Sequence, residues 1–428
     1  MRVPVAAHAT DTGAVIGHSG LGRAIPILIV LLVLGIAPTV FVNYSALQGT
    51  RDQLVDLTVA NLRARSTSTA ASIDTYIQAR RRDIVAVSQV PDVIAYAQNL
   101  GSQGQRDLAR AALANAATAS TAYESIAILT LDGTIMAASI QTDEGTNVRF
   151  RDYFQNARAG LVYISDPSYS VITNKPALFF SAPVMDGDKV LAVVRTRVNL
   201  ATIWDVVEGD LGAVGAGAHG FLVDDYGIRL AVSETKGHRD QAESLIYKPI
   251  APIEAETAKK LAADKRFGTK TPEQLVIDPL PTLKTALDKL PRGITTSSQF
   301  SFGQAELEQR GVVTRLTAKP WAYVLAVPIA TYTKAADDAT VNATSMVVVG
   351  LLLSLVIGVL LTRSLVRPLR RLVGEATMVS TGDVDLRYAR FDTHSGDDIT
   401  REVASAFDRM LNALRFYALS DDATTGED

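Results

Sequence analysis

Ile126-Ala127-Ile128-Leu129-Thr130-Leu131-Asp132-Gly133-Thr134-Ile135-Met136-Ala137-Ala138-Ser139 decides the fold. Apolar and β-branched residues flank Asp-Gly, a dipeptide suited to the positive φ of a tight hairpin turn. The stretch therefore predicts two antiparallel strands, not a helix. More strands are predicted at Tyr163–Ser165, Ala177–Pro183 and Val190–Val198, with Asp186-Gly187-Asp188 as a further turn. A related order recurs: Gly220-Phe221-Leu222-Val223-Asp224-Asp225-Tyr226-Gly227-Ile228-Arg229-Leu230-Ala231 again reads strand, turn, strand. Strands resume at Thr295–Phe302, Glu308–Leu316 and Trp321–Pro328. A charged, helix-friendly insert over about 235–290 separates the two groups, broken by Pro249, Pro252 and Pro279. Two copies of one α+β fold type, at 90–205 and 206–335, follow from this repeat.

Upstream, the period changes. Leu54, Leu57, Leu62, Ile73, Ile77, Ile84 and Val87 recur at helical spacing, and no Gly or Pro lies between Thr50 and Val90. One long stalk helix over 44–89 is predicted, with an Ala-rich second helix at about Gly104 to Ser120.

Two apolar runs bracket these elements, Ala24 to Val42 and Ala343 to Thr362. Each is about 19–20 residues long without a charge, enough for a helix to cross a ~30 Å hydrocarbon core. They predict membrane spans at 23–43 and 343–362. The first could be read as a secretory signal peptide, but it exceeds the usual signal core, carries Pro26 and Pro38, and lacks an A-x-A site at its end. A retained anchor is the reading adopted. Arg363, Arg367, Arg370 and Arg371 follow the second run, and Lys and Arg beside a span stay on the cytoplasmic side. The roughly 300 residues between the runs are then extracytoplasmic, and residues 1–22 form an unstructured cytoplasmic tail.

Composition excludes several chemistries. The net charge of −3 gives no hint of nucleic-acid binding. The absence of cysteine removes disulfides, thiolate metal sites and a Cys nucleophile. His8, His18, His219, His238 and His394 fall on both sides of the membrane and cannot make one metal site. No phosphate-binding loop or nucleophile–base order stands out, so neither enzyme activity nor a cofactor is expected.

The outer part resembles a double Cache domain, the extracytoplasmic sensor of many bacterial receptors. The stretches that carry the resemblance are Arg149-Phe150-Arg151-Asp152-Tyr153-Phe154, Ile164-Ser165-Asp166-Pro167 and Thr173-Asn174-Lys175-Pro176 in the membrane-distal module. Gly220–Asp224 and Trp321–Pro328 are similar to its membrane-proximal module. The resemblance implies two PAS-like modules with antiparallel sheets on a long N-terminal helix. It implies a pocket in which Arg151, Tyr153 and Phe154 meet the carboxylate end of a small ligand, with Tyr169 and Thr173 nearby. Amino-acid-binding members carry an Asp three residues before the strand-end Leu. Here that Leu is Leu200 and the position holds Arg197, with Arg195 on the same strand face. A cation cannot hold an ammonium group, so the expected ligand is a carboxylate or other small anion bound by Arg151 with Arg197 or Lys175. The bland alternative is that Arg195 and Arg197 point to solvent or pair with acids such as Asp152. The proximal module shows no comparable cluster and is expected to transmit.

Residues 363–417 resemble a HAMP linker. Pro368 opens a helix in which Leu369, Leu372, Ala376 and Val379 make an a/d seam; Gly382 breaks it. Asp398 and Ile399 start a second helix, whose seam continues through Val403, Ala406, Met410 and Ala413. Two such helices per chain suit a parallel homodimer and a four-helix bundle. The acidic segment 418–428 is expected to be a disordered tail. The resemblance implies a multi-pass protein of the bacterial plasma (inner) membrane, a transmembrane receptor whose signal passes to a separate cytoplasmic signalling protein. The competing readings are a membrane-tethered solute-binding or scaffold protein, or a truncated chemoreceptor, kinase or cyclase.

Overall fold

The computed structural model describes residues 21–239, 245–304, 307–361, 363–364, 367–381 and 398–424. Gly382, the anticipated helix break, lies outside them.

Helix α1 runs from Leu21 to Ser88. It stops where Pro91 forces Val90 into an extended conformation, φ −65° and ψ 128°. Helices α2, Pro91–Gln98, and α3, Gln103–Ala117, follow; the first of these is not foreseen by the apolar pattern. Strands β1, Tyr123–Leu129, and β2, Ile135–Ala138, form the anticipated hairpin, pairing Ala127 with Ala138. Its turn needs Gly133 at φ +93°, where a Cβ would strike the backbone of Arg149. Helix α4, Asp152–Arg158, and the short strands β3, Tyr163–Ile164, and β4, Ser168–Tyr169, precede the long pair β5, Pro176–Asp186, and β6, Lys189–Asn199. The sheet order is β2-β1-β6-β5-β3, with β4 also on β5.

Helix α5, Ala201–Glu208, leads to the second sheet. Its strands are β7, His219–Val223; β8, Arg229–Val232; β9, Ser297–Phe302; β10, Gln309–Arg315; and β11, Ala322–Pro328, in the order β8-β7-β11-β10-β9. Both sheets are antiparallel and place the returning last strand beside the first of the hairpin. The insert between β8 and β9 carries helices α6, Ala255–Ala263, and α7, Pro281–Lys289.

Residues Arg51–Ala335 form one compact unit. The helix α1 is its spine. Leu62, Ile73, Ile77 and Ile84 are fully buried in one core with Ile128, Phe180 and Val194 of the first sheet and Leu222, Tyr323 and Leu325 of the second. Each such side chain is worth ~1.5–3 kcal/mol of burial, which fixes both sheets on a single helix. Polar contacts set the register: Asp74 accepts from the backbone N–H of Thr317 at 2.8 Å and of Ala318 at 2.9 Å. Asp210 accepts from Tyr323 Oη at 2.6 Å, Thr69 Oγ1 at 2.8 Å and the Arg65 guanidinium. The opposite faces of the two sheets have separate cores, one around Tyr153, Phe154 and Phe179, the other around Phe221, Leu283 and Val324.

The second unit joins residues before Arg51 to those from Ala336 onward. It contains α8, Ala330–Leu361, from Ala336 on; α9, Arg367–Thr381; and α10, Asp398–Thr424, which continues as helix to Thr424 where the acidic composition suggests a disordered tail from 418. Among the described residues, α8 is long and apolar enough over Ala330–Leu360 to cross a membrane. The first apolar run is helical, within α1.

Candidate functional site

Arg151 is the N-cap of α4 and is 1% exposed. Its guanidinium lies 4.9 Å from the Phe150 ring centroid and 5.8 Å from that of Phe179. Tyr153 stacks on the same Phe179 at 4.7 Å. Arg151 and Tyr153 thus meet at one aromatic ring on the sheet face away from α1. Arg151 is not without partners. Nη1 donates to Ser168 Oγ at 3.2 Å and to the Asp264 carbonyl, and Nη2 donates to the Tyr169 carbonyl. The Asp264 carboxylate stands 3.6 Å away. Asp264 belongs to the far insert, just past α6. The Tyr169 N–H donates to the Lys265 carbonyl at 2.9 Å, and the Tyr169 ring packs on Tyr247. Lys265, at φ +58°, is the left-handed cap of α6: its N–H donates to the Ala262 carbonyl at 2.9 Å and that of Arg266 to the Leu261 carbonyl at 3.0 Å.

The other expected residues separate. Phe154 is buried beneath α4 in the same core as Tyr153. The Thr173 hydroxyl is buried without a partner, and Lys175 is exposed. Arg197 does face away from α1, but it is no free cation. Its Nε donates to Glu124 at 3.0 Å and its Nη1 to Asp143 Oδ2 at 3.0 Å. Arg195 shares Asp143 at 2.9 Å and also reaches Ser125 Oγ at 3.1 Å. Both arginines are at most 2% exposed. Burial alone would raise the Asp143 carboxyl, yet Arg195, Ser125 and Arg197 outweigh it and hold it below the usual carboxylate range. A buried guanidinium is stable only with such partners, and η1, Gln141–Asp143, supplies one from the other end of the sheet. Asp143 has no periodicity or motif that singles it out in the sequence.

Sequence reasoning also missed the hub joining the two sheets. Arg266, 2% exposed, donates Nη1 to Asp166 at 2.9 Å and Nη2 to Asp224 at 2.5 Å. Asp166 also accepts from Trp321 Nε1 at 2.7 Å and Lys319 Nζ at 3.1 Å. Burial opposes the charge on Asp166, but Arg266, Lys319 and Trp321 carry its pKa down to about 2. Nearby, Asp152 accepts from Tyr163 Oη at 3.1 Å. Burial and the charge of Asp152 push Asp264 up to about 6, against the pull of Arg151 and Arg266. Asp166 sits inside a quoted motif, but its partners come from the insert and the last hairpin, so sequence proximity gives no sign of them.

In the other unit, α9 and α10 pack through Leu372, Ala404 and Leu411, each at most 6% exposed, with Ala376, Val403 and Phe407 beside them. Leu372 takes its expected seam position. Met410 is 56% exposed, and Asp398 is exposed at the start of α10. Pro368 and Leu369 lie in the first turn of α9 and Ile399 in the first turn of α10. Among the described residues, no group of three or more His, Cys, Asp or Glu is placed to hold a metal ion.

The family model of the HAMP domain matches residues 360–416. No curated protein matches the chain. Solved structures similar to it include the sensor domain of the Vibrio cholerae histidine kinase DctB, 13% identical, covering 67% of this chain and 98% of that one, with a TM-score of 0.43. The sensory domain of the Campylobacter jejuni chemoreceptor Tlp3 is 11% identical and covers 66% of this chain and 97% of that one, TM-score 0.47. The extracellular domain of the histidine kinase rpHK1S-Z16 is 16% identical, covering 64% and 95%, TM-score 0.44. The chain thus combines two like-ordered antiparallel sheets on one spine helix, an apolar helix of membrane length and a matched HAMP domain.

Proposed function

We propose that the protein is a transmembrane signal receptor of the bacterial inner membrane. It binds a small extracytoplasmic ligand in the two-sheet domain and relays the event through the HAMP helices to a separate cytoplasmic partner. The observation that carries this reading is the matched HAMP domain at 360–416, entered directly from the apolar helix α8. HAMP helices convert a small helix displacement into a two-state change, a device that a passive tether does not need. The first apolar run is the second crossing. Val373, Met378, Met410 and Leu414 are exposed on α9 and α10, which fits a homodimer that buries them.

The ligand of the first sheet is a small carboxylate or other small anion, with Arg151 as its anchor. Support comes from the seat itself, where the buried guanidinium faces one carboxylate of the chain, Asp264, at 3.6 Å. With Arg197 committed to Glu124 and Asp143, the anion reading rests on Arg151 alone.

The test is a chimera with residues 1–416 placed ahead of a HAMP-coupled kinase reporter, together with calorimetry on the purified full chain. Ligands that bind should change reporter output, and Leu372→Gln should abolish the change while leaving binding intact. A ligand that binds tightly yet leaves output at its basal level would favour the tethered solute-binding or scaffold protein instead.

A further inference from the structure

The insert of the second sheet reaches across to the first, and polar bonds hold it there. Arg151 donates to the Asp264 carbonyl, the Tyr169 N–H donates to the Lys265 carbonyl at 2.9 Å, and Arg266 pairs with Asp166 at 2.9 Å. Asp264 and Lys265 end α6, so these bonds fasten one end of the insert to β4 and the loop before it.

Among the described residues, four carboxylates, Asp152, Asp166, Asp224 and Asp264, meet three cations at this joint, Arg151, Arg266 and Lys319. Lys265 is exposed, and Arg195 and Arg197 are matched by Asp143 and Glu124. Asp166 has Arg266, Lys319 and Trp321, and Asp224 has Arg266 and the N–H groups of Tyr226 and Ile228. Asp152 accepts from the Tyr153 N–H at 2.6 Å and from Tyr163 Oη at 3.1 Å. Asp264 is the least provided: its Oδ1 is buried 3.6 Å from Arg151 Nη1 and accepts no hydrogen bond. Tyr153 and Tyr163 also face it, and burial holds both hydroxyls above the ordinary tyrosine range, so they stay neutral.

The surplus negative charge therefore falls on Asp264 and Asp152, which repel each other. A proton on Asp264 removes the surplus and turns a repelling acceptor into a donor. The Asp264 side chain is 20% exposed, so water can deliver that proton. We propose that Asp264, with Asp152 beside it, is a proton site that fastens the insert to the first sheet in acid and loosens it as the pH rises. The proton thereby becomes a signal read at the joint of the two sheets. The sign agrees with the carboxyl being raised to about 6: the docked form holds the proton more tightly than a solvated carboxyl near 3.9, so the gain in docking builds as the pH falls below 6 and is absent above it. The site depends neither on the receptor reading nor on an anion at Arg151.

Hydrogen–deuterium exchange of the full-length protein in detergent tests it, read as the rate of peptides holding the Tyr169 N–H relative to those holding the Ser139 N–H. Ser139 donates to the Ile126 carbonyl at 2.8 Å at the far edge of the first sheet, and it shares the chemical pH dependence of exchange. The relative protection of Tyr169 should rise about tenfold from pH 7.5 to 5.0. Asp264→Asn should hold the high protection at both pH values, since its amide has no charge to lose. Asp152→Asn removes the same surplus from the other side and should flatten the response as well. The proposal is overturned if wild-type protection does not change with pH, if Asp264→Asn responds as wild type does, or if Asp264→Asn is unprotected at both pH values, the mark of a carboxylate that is structural only. None of these readings involves HAMP output, so they stand apart from the chimera.

Discussion

Arg266→Met tests whether the two sheets are locked together by charge. Arg266 bridges Asp166 of the first sheet's loop and Asp224 of the second sheet's hairpin. Without it, Asp166 keeps Lys319 and Trp321, but Asp224 keeps only the backbone N–H groups of Tyr226 at 2.9 Å and Ile228 at 2.8 Å. Removing one partner of a buried ion pair costs ~3–5 kcal/mol, because the other charge stays buried. At ~2–4 °C per kcal/mol for a unit of this size, the melting midpoint should fall by roughly 6–20 °C. Intrinsic fluorescence is a suitable assay. The chain has two tryptophans, and Trp321 donates directly to Asp166. The double variant Arg266→Met/Asp224→Asn should recover a good part of the loss, since the orphaned carboxylate becomes neutral. A single variant melting within about 2 °C of wild type, or a double variant no better than the single, would refute the reasoning.

Three further outcomes are expected. Asp264, raised to about 6 against an unfolded value near 3.9, binds its proton more tightly in the folded form. Lowering the pH through 6 should therefore add stability, and Asp264→Asn should show a smaller rise in melting midpoint between pH 7.5 and 5.5 than wild type; equal rises would contradict the assignment. Gly220→Ala places a Cβ against the Tyr323 hydroxyl, which donates to Asp210, so it should cost ~1–3 kcal/mol in denaturant unfolding and loosen α1 from β11. Because the chain has no cysteine, single substitutions report pairing cleanly: under oxidation Met410→Cys should cross-link a homodimer, while Leu411→Cys, packed on its own chain's Leu372, should not, and the reverse pattern would reject the dimer seam.

The strands were legible because their signals are local. Asp132-Gly133 marks a turn whose second residue must take a positive φ, and the flanking apolar residues belong to a sheet covered on both faces. The spine was legible for the same reason: Leu62, Ile73, Ile77 and Ile84 are the buried stripe of one helix. Helix α2 was missed because eight residues after a proline show too few turns to establish a period. Met410, expected in the seam, is exposed, and its neighbour Leu411 is the residue packed with Leu372, a one-residue shift of the apolar line that spacing alone does not resolve.

The candidate site was legible residue by residue but not as an arrangement. Arg151 and Tyr153 meet at the Phe179 ring, yet Asp264, which faces Arg151, and Asp143, which pairs with Arg195, lie in short connecting segments whose placement depends on tertiary contacts. The insert explains why both faces must be read together. Its α6 end presses Asp264 and Lys265 onto Arg151 and Tyr169, while Asp278 and Leu280, ahead of α7, wall a cavity over β8.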